Sequence, residues 1–257
     1  MVYKDQLNRE ITLSKTPTRI ISLVPSQTEL LVDLGLRKQL VGITKFCVHP
    51  KNLREEITVV GGTKKANYNK IKRLSPDLII CNKEENTLEM VEELQKIAPV
   101  WISDIETIEE SLEMIHLLGE VFNVAEKAEK MIAEVHVEMM EFHNFISDFP
   151  VKKVAYLIWK NPYMGVGNKT FIQDLLILNK FENILQNETS RYPEISLENL
   201  KEAELILLSS EPYPFKEKDL VELKKALQKE VLLVDGEYFS WYGSRLKDAF
   251  TYFKTLH

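Results

Sequence analysis

Residues 123–147, NVAEKAEKMIAEVHVEMMEFHNFIS, decide the fold. Ala125, Ala128, Ile132, Val135, Met139, Phe142 and Ile146 alternate spacings of three and four, which lines all seven along one stripe of an α-helix. Asn123 followed by Glu126 has the spacing of a capping box, and neither Gly nor Pro interrupts the segment before Pro150. At 1.5 Å per residue such a helix reaches roughly 35 Å, the width of a whole lobe. It lies near the middle of the chain, so it reads as a strut between two lobes. The competing reading, a two-stranded coiled coil, has about the minimum number of heptads and globular flanks. His136 and His143 fall on the helix as solvated surface.

Working outward, strands and helices alternate on both sides. Upstream, the polar hairpin-like DQLNREITL precedes a short buried strand at 19–24, stopped by Pro25. Ser26 and Glu29 have capping-box spacing before a helix that ends at Gly35. Strands follow at 41–44, 59–60, 77–81 and 100–103, with helices at 69–74, 87–97 and 107–122, the last with Thr107 and Glu110 as a capping box. Downstream, strands are expected at 154–159, 204–208 and 231–234, and helices at 170–179, 216–228 and from Ser244, with Ser196 capping a short helix. SPDLII and EAELILL play the same part in the two halves, a faint internal repeat. The expected fold is α/β: two Rossmann-like lobes with parallel sheets, 1–122 and 148–257, bridged by the single long helix 123–147, with a ligand cleft between the lobes. In such sheets ligands bind beyond the carboxyl ends of the strands.

A net charge of −6 argues against nucleic acid as a partner, and no apolar run approaches the roughly 18 residues of a membrane span. The polar start MVYKDQLNREITL shows no secretory signal, which by itself points to the cytoplasm. Two cysteines imply no disulfide framework. No Walker A loop, Gly-x-Ser-x-Gly elbow or His-Glu-x-x-His helix occurs; Gly61-Gly62-Thr63-Lys64-Lys65 lacks the Walker spacing, and Gly165-Val166-Gly167 reads as an ordinary turn. No catalytic machinery is expected.

Two features carry chemistry. Cys47 and His49 stand two apart in a post-strand loop, with Glu84 and Glu85 in the next, a set that suits zinc or a cofactor metal; Cys47 as small apolar filler is the plain alternative. Aromatic residues concentrate in the post-strand loops: Phe46, Trp159, Tyr163, Tyr213, Phe215, Tyr238, Phe239, Trp241 and Tyr242. That pattern suits a large flat ligand, although Trp241 and Tyr242 could equally pack between lobes.

RIISLVPSQTEL at 19–30, VGIT at 41–44, SPDLII at 75–80 and YPEISLE at 192–198 resemble the helical-backbone substrate-binding proteins of ABC importers, nearest to the cobalamin-binding members. The resemblance covers nearly the whole chain. It implies a binding protein that requires no cofactor of its own and takes cobalamin, haem or a ferric chelate as ligand. It also implies a monomer, periplasmic or at the cell surface, that delivers to a permease. The missing signal keeps the cytoplasm open.

Phe46 matches a cleft aromatic of that group, Tyr192 falls where a Trp stands, and 238–245 matches the last ligand-facing loop. Two further cleft tryptophans align near Thr63 and at Asn82, so part of the aromatic cage is absent. Glu198 matches the permease-docking acid of the second lobe, whereas Asn69 occupies the first-lobe position.

The expected ligand contacts are therefore Phe46, Trp159, Tyr163, Tyr192, Tyr238, Trp241 and Tyr242, with Arg191 and Arg245 forking onto ligand carboxylate or phosphate. Cys47 or His49 would reach the metal, and lobe movements on binding should be small. The alternatives are a metal-handling protein or metalloenzyme using Cys47, His49 and Glu84 or Glu85 without an importer, and a scaffold whose cleft holds a partner loop.

Overall fold

The computed structural model describes residues 1–257, which divide into two compact units. The first comprises 1–104, 109–136 and 242–245; the second comprises 105–108, 137–241 and 246–257.

In the first unit, β1 (Val2–Lys4) and β2 (Glu10–Thr12) form an antiparallel hairpin. There follow β3 (Ile20–Ser22), α1 (Pro25–Asp33), β4 (Leu40–Thr44), α2 (Leu53–Glu56), β5 (Thr58–Gly61), α3 (Tyr68–Leu74), β6 (Leu78–Asn82), α4 (Leu88–Gln95), β7 (Val100–Ser103) and α5 (Ile108–Val121). The sheet order β5-β4-β3-β6-β7 is parallel throughout, so the winding reverses between β3 and β6. Buried on both faces, β3, β6 and β7 read as largely apolar runs: every residue of LIICN in β6 is buried. Ile21, Leu23, Val60, Ile71, Ile79, Cys81 and Leu94 belong to one core cluster beneath the sheet.

Helix α6 (Ala125–Ile146) is one uninterrupted helix whose first half belongs to the first unit and whose second half to the second. Ala128, Val135, Phe142 and Ile146 are buried, as the three-four spacing requires; Ala125 is exposed. Asn123 does not cap this helix. It adopts φ 55°, and the Asn123 and Val124 N–H groups donate to Glu120 O and Gly119 O. That pair of bonds is a Schellman motif, so Asn123 ends α5 instead of starting α6. The Ser26–Glu29 box is also not formed. Pro25 takes the first helical position, Val24 is the cap residue and no side chain caps it. Thr87 and Thr170 do cap, accepting from Met90 N and Gln173 N.

The second unit contains β8 (Lys152–Trp159), β9 (Met164–Gly165), α7 (Phe171–Leu178), β10 (Phe181–Asn183), β11 (Leu205–Ser209), α8 (Glu217–Leu227), β12 (Glu230–Val234), α9 (Glu237–Ser240) and α10 (Leu246–Phe253). The order β10-β8-β11-β12 is parallel, with the short β9 added antiparallel to β8, and the winding reverses between β8 and β11. The helix expected after Ser196 is a 3₁₀ turn, Asn199–Glu202, with Ser196 Oγ accepting from Asn199 N. The repeat is visible in the bonding. Asp77 accepts from Thr18 N and Arg19 N ahead of β3, and Glu204 accepts from Lys153 N in β8. Each acid holds the start of a neighbouring strand.

Candidate ligand site

In the first unit, polar side chains fill the point where the winding reverses, the usual ligand position in such sheets. Gln27 Nε2 donates to Ser103 Oγ and, at 3.3 Å, to the Tyr242 hydroxyl. Asn82 Nδ2 donates to the same Ser103 Oγ at 2.9 Å, while its Oδ1 accepts from Glu84 N and Glu85 N. Asn86 Nδ2 then reaches Thr63 O at 2.7 Å. Tyr242 is 6 % exposed, and burial pushes its hydroxyl pKa far up. Tyr242 therefore packs within this polar cluster.

A concave surface of this unit lies to one side, beyond β4 and β5. A concavity of about 610 Å³ is lined by Phe46, Thr63, Asn67, the Gly61-Gly62 turn and four lysines, Lys45, Lys64, Lys65 and Lys70. Gly61 has φ +142°, and a Cβ there would meet Lys65 O at 2.5 Å, so only glycine allows this tight turn. Phe46 is 48 % exposed, with Lys45 Nζ 4.9 Å from its ring centre.

In the second unit the reversal point carries aromatic residues. Trp159 ends β8, is 42 % exposed, and meets Tyr213 edge-on at 5.7 Å; Tyr213 meets Phe215 at 4.8 Å. Lys160 anchors the loop that follows, donating to Asp219 Oδ1 at 2.8 Å and Glu222 Oε2 at 2.7 Å. Segments 163–167 and 191–195 pair antiparallel, Ile195 N donating to Tyr163 O and Gly167 N to Arg191 O, so Tyr163 lies at one end of that pairing and Arg191 and Tyr192 at the other. Arg191 Nη1 lies 3.6 Å from Glu106 Oε1. Tyr238 stacks on Tyr252 at 4.7 Å, and Trp241, 8 % exposed, donates through Nε1 to Glu211 Oε1 at 3.1 Å.

Arg245 does not present a free fork to a ligand. Its Nε and Nη2 close on Glu29 Oε2 and Oε1 at 2.9 and 2.7 Å. Burial raises the Glu29 carboxyl above its usual range, and Arg245 pulls it back. Cys47 is fully buried, 3.2 Å from Thr28 Oγ1 and 3.3 Å from Thr44 Oγ1, and burial pushes its thiol up. Cys47, His49, Glu84 and Glu85 form no metal-holding group. The burial of Cys47 is what the plain alternative, a small core residue, requires. Glu198 is surface-exposed and pairs with Lys201 at 2.6 Å; Asn69 is exposed on α3.

Sequence reasoning missed the lysines of the first unit and under-weighted Tyr213. The signal was present in Gly61-Gly62-Thr63-Lys64-Lys65, which a phosphate-loop template discards.

Residues 20–229 match the periplasmic binding protein family. The chain belongs to that family. It is 25 % identical over 193 residues to the ABC transporter substrate-binding lipoprotein YvrC of Bacillus subtilis, covering 72 % of this chain and 61 % of that relative. The crystal structure of the periplasmic vitamin B12-binding protein of Vibrio cholerae superposes with a TM-score of 0.80 at 21 % identity, over 93 % of this chain and 96 % of the other. A periplasmic haem-binding protein from Pseudomonas aeruginosa gives 0.80 at 19 % identity, over 93 % and 92 %. These two likenesses establish the fold. The relatives named are binding proteins, from a lipoprotein and from the periplasm. No helix is long and apolar enough to cross a membrane.

Proposed function

We propose that this chain is the substrate-capturing component of an ABC importer, acting outside the cytoplasm as a monomeric binding protein and not as an enzyme. Its ligand is a bulky metal chelate: a corrinoid, haem or a ferric siderophore. The observation that carries this reading is Trp159. A tryptophan 42 % exposed at the carboxyl end of β8, backed by Tyr213 at the point where the winding reverses, offers a flat apolar face to a planar or globular chelate. Phe46 offers a second such face at the end of β4. Tyr163, Arg191, Tyr192 and Tyr238 are further contacts on this reading, and the exposed Glu198 is the permease-facing acid.

Calorimetric titration of the whole chain with cyanocobalamin, haem, a ferric tris-catecholate and a ferric tris-hydroxamate tests it. Micromolar or tighter binding of one of them, weakened at least roughly tenfold by Trp159→Ala, is the expected result. Absence of binding to all four overturns the reading.

A further inference from the structure

The four lysines around the β4–β5 concavity are unusual in a chain of net charge −6. Lys45, Lys64, Lys65 and Lys70 line it, and no carboxylate does. None of the four makes an ion pair. Lys64 Nζ donates to the backbone oxygen of Glu84, Lys70 Nζ to Val59 O at 3.3 Å, and Lys45 Nζ sits over the Phe46 ring. An ammonium carries three protons, so each of these interactions leaves donors to spare. Lys64 and Lys65 are held close to Lys45 by the turn geometry: Lys45 N donates to Gly61 O and Gly62 N to Lys65 O, both at 2.8 Å. A Cβ at Gly62 would lie 3.2 Å from Phe46 Cε2 and 3.6 Å from Lys45 Cε, so the aromatic ring and the ammonium stem pack directly on the turn. Backbone bonding therefore fixes where the Lys45, Lys64 and Lys65 side chains leave the chain, on one side of the concavity's floor.

From this we infer that the ligand is an anion and that this concavity receives its acidic groups, an assignment that rests on the chelate-binding reading above. Phe46 would cover an apolar part of the ligand while the ammonium groups pair with carboxylates or catecholate oxygens around it. The concavity, about 610 Å³, holds part of a chelate of drug size or larger. Carboxylate and catecholate share the chemistry the lysines read. Cyanocobalamin, neutral overall, offers them a single phosphodiester, against two carboxylates on haem and a net charge of three on the tris-catecholate.

The test uses the four probes already named, titrated at low and physiological salt, with the whole chain and two double variants, Lys64→Gln/Lys65→Gln and Lys45→Gln/Lys70→Gln. Haem, with two carboxylates, and the tris-catecholate, a trianion, separate the two sources of charge. Cyanocobalamin and the tris-hydroxamate carry no net negative charge. The expected result is that an anionic probe binds at least roughly tenfold tighter than both neutral ones. It should weaken with salt, and lose roughly tenfold or more in each Gln double variant. Lys64→Arg/Lys65→Arg should retain most of the affinity, and unchanged thermal midpoints would show that the Gln variants fold. A neutral probe that binds as tightly as the anions overturns the inference while leaving chelate capture standing. So does an anionic probe indifferent to both Gln pairs. Failure of all four probes overturns both.

Discussion

The Arg245 guanidinium closes on both carboxylate oxygens of Glu29, tying the loop before α10 to α1 within the first unit. Both side chains are largely covered, at 11 % and 17 % exposure. Removing one partner strands the other charge in a poorly solvated place, the costly way to break a pair. Arg245→Ala should therefore destabilise the chain by about 2 kcal/mol, read as a shift of the urea midpoint. Chelate affinity should change little. A large affinity loss at unchanged stability would mean that the guanidinium serves the ligand instead.

Lys160 does comparable work in the second unit. Its ammonium bonds Asp219, which is 2 % exposed, and Glu222, and so fixes the loop that follows Trp159 and carries Tyr163. Burial acts to raise the Asp219 carboxyl, but the Lys160 bond and the Lys216 N–H outweigh it and hold the carboxyl below its ordinary value. Lys160→Met takes the ammonium partner from that carboxylate, leaving it the Lys216 N–H, and should cost about 2 kcal/mol in urea unfolding, with Lys160→Arg costing less. If the Met variant unfolds at the wild-type midpoint, the clamp does not stabilise this loop.

Glu211 predicts a pH dependence. Burial raises its carboxyl; bonds from Ser240 and Trp241 oppose this, while Glu237 and Asp235 add to it. A raised folded pKa means that protonation favours the folded state. The stability contributed by this group is complete below its unfolded value, near 4.5, and is lost as pH rises through the folded one. Glu211→Gln, which keeps an oxygen acceptor for Trp241 without the charge, should match the wild type at low pH and exceed it in thermal midpoint at neutral pH. Parallel midpoints across the whole range would refute the assignment.

The frame of this molecule was legible because it rests on local pattern. The three-four spacing through residues 123–147 and the apolar runs at β6 and β11 leave one solution each: an amphipathic helix and strands buried on both faces. Caps were less legible. Ser26-x-x-Glu29 fits the box, yet Pro25 and Val24 already set the helix start, and Asn123 is claimed by the helix it follows. Partners across the fold were not legible. Arg245 reads as a fork for a carboxylate, and the fold itself supplies one in Glu29, 216 positions away. No spacing rule reaches that far. The lysine cluster was hidden for the same reason: Lys45 meets Lys64 and Lys65 only because β4 pairs with β5.

Gly119 offers the sharpest test of packing in the first unit. It lies inside α5, where glycine costs about 1 kcal/mol in helix propensity relative to alanine. On propensity alone, Gly119→Ala should stabilise. A Cβ at this position, however, would fall 2.5 Å from Ala128 Cβ and 3.4 Å from Ala125 Cα, where α6 crosses. Ala128 is fully buried and cannot turn aside, so the helices must separate, at a cost of about 1–3 kcal/mol for overpacking. The two effects oppose each other, and the contact distance decides for destabilisation. Gly119→Ala should lower the thermal midpoint, and Ala128→Gly in the same chain should relieve the clash and recover part of the loss. A non-additive cycle of that sign would fix the close crossing as the reason for glycine here; a Gly119→Ala variant more stable than the wild type would show that the crossing is looser than the structure has it.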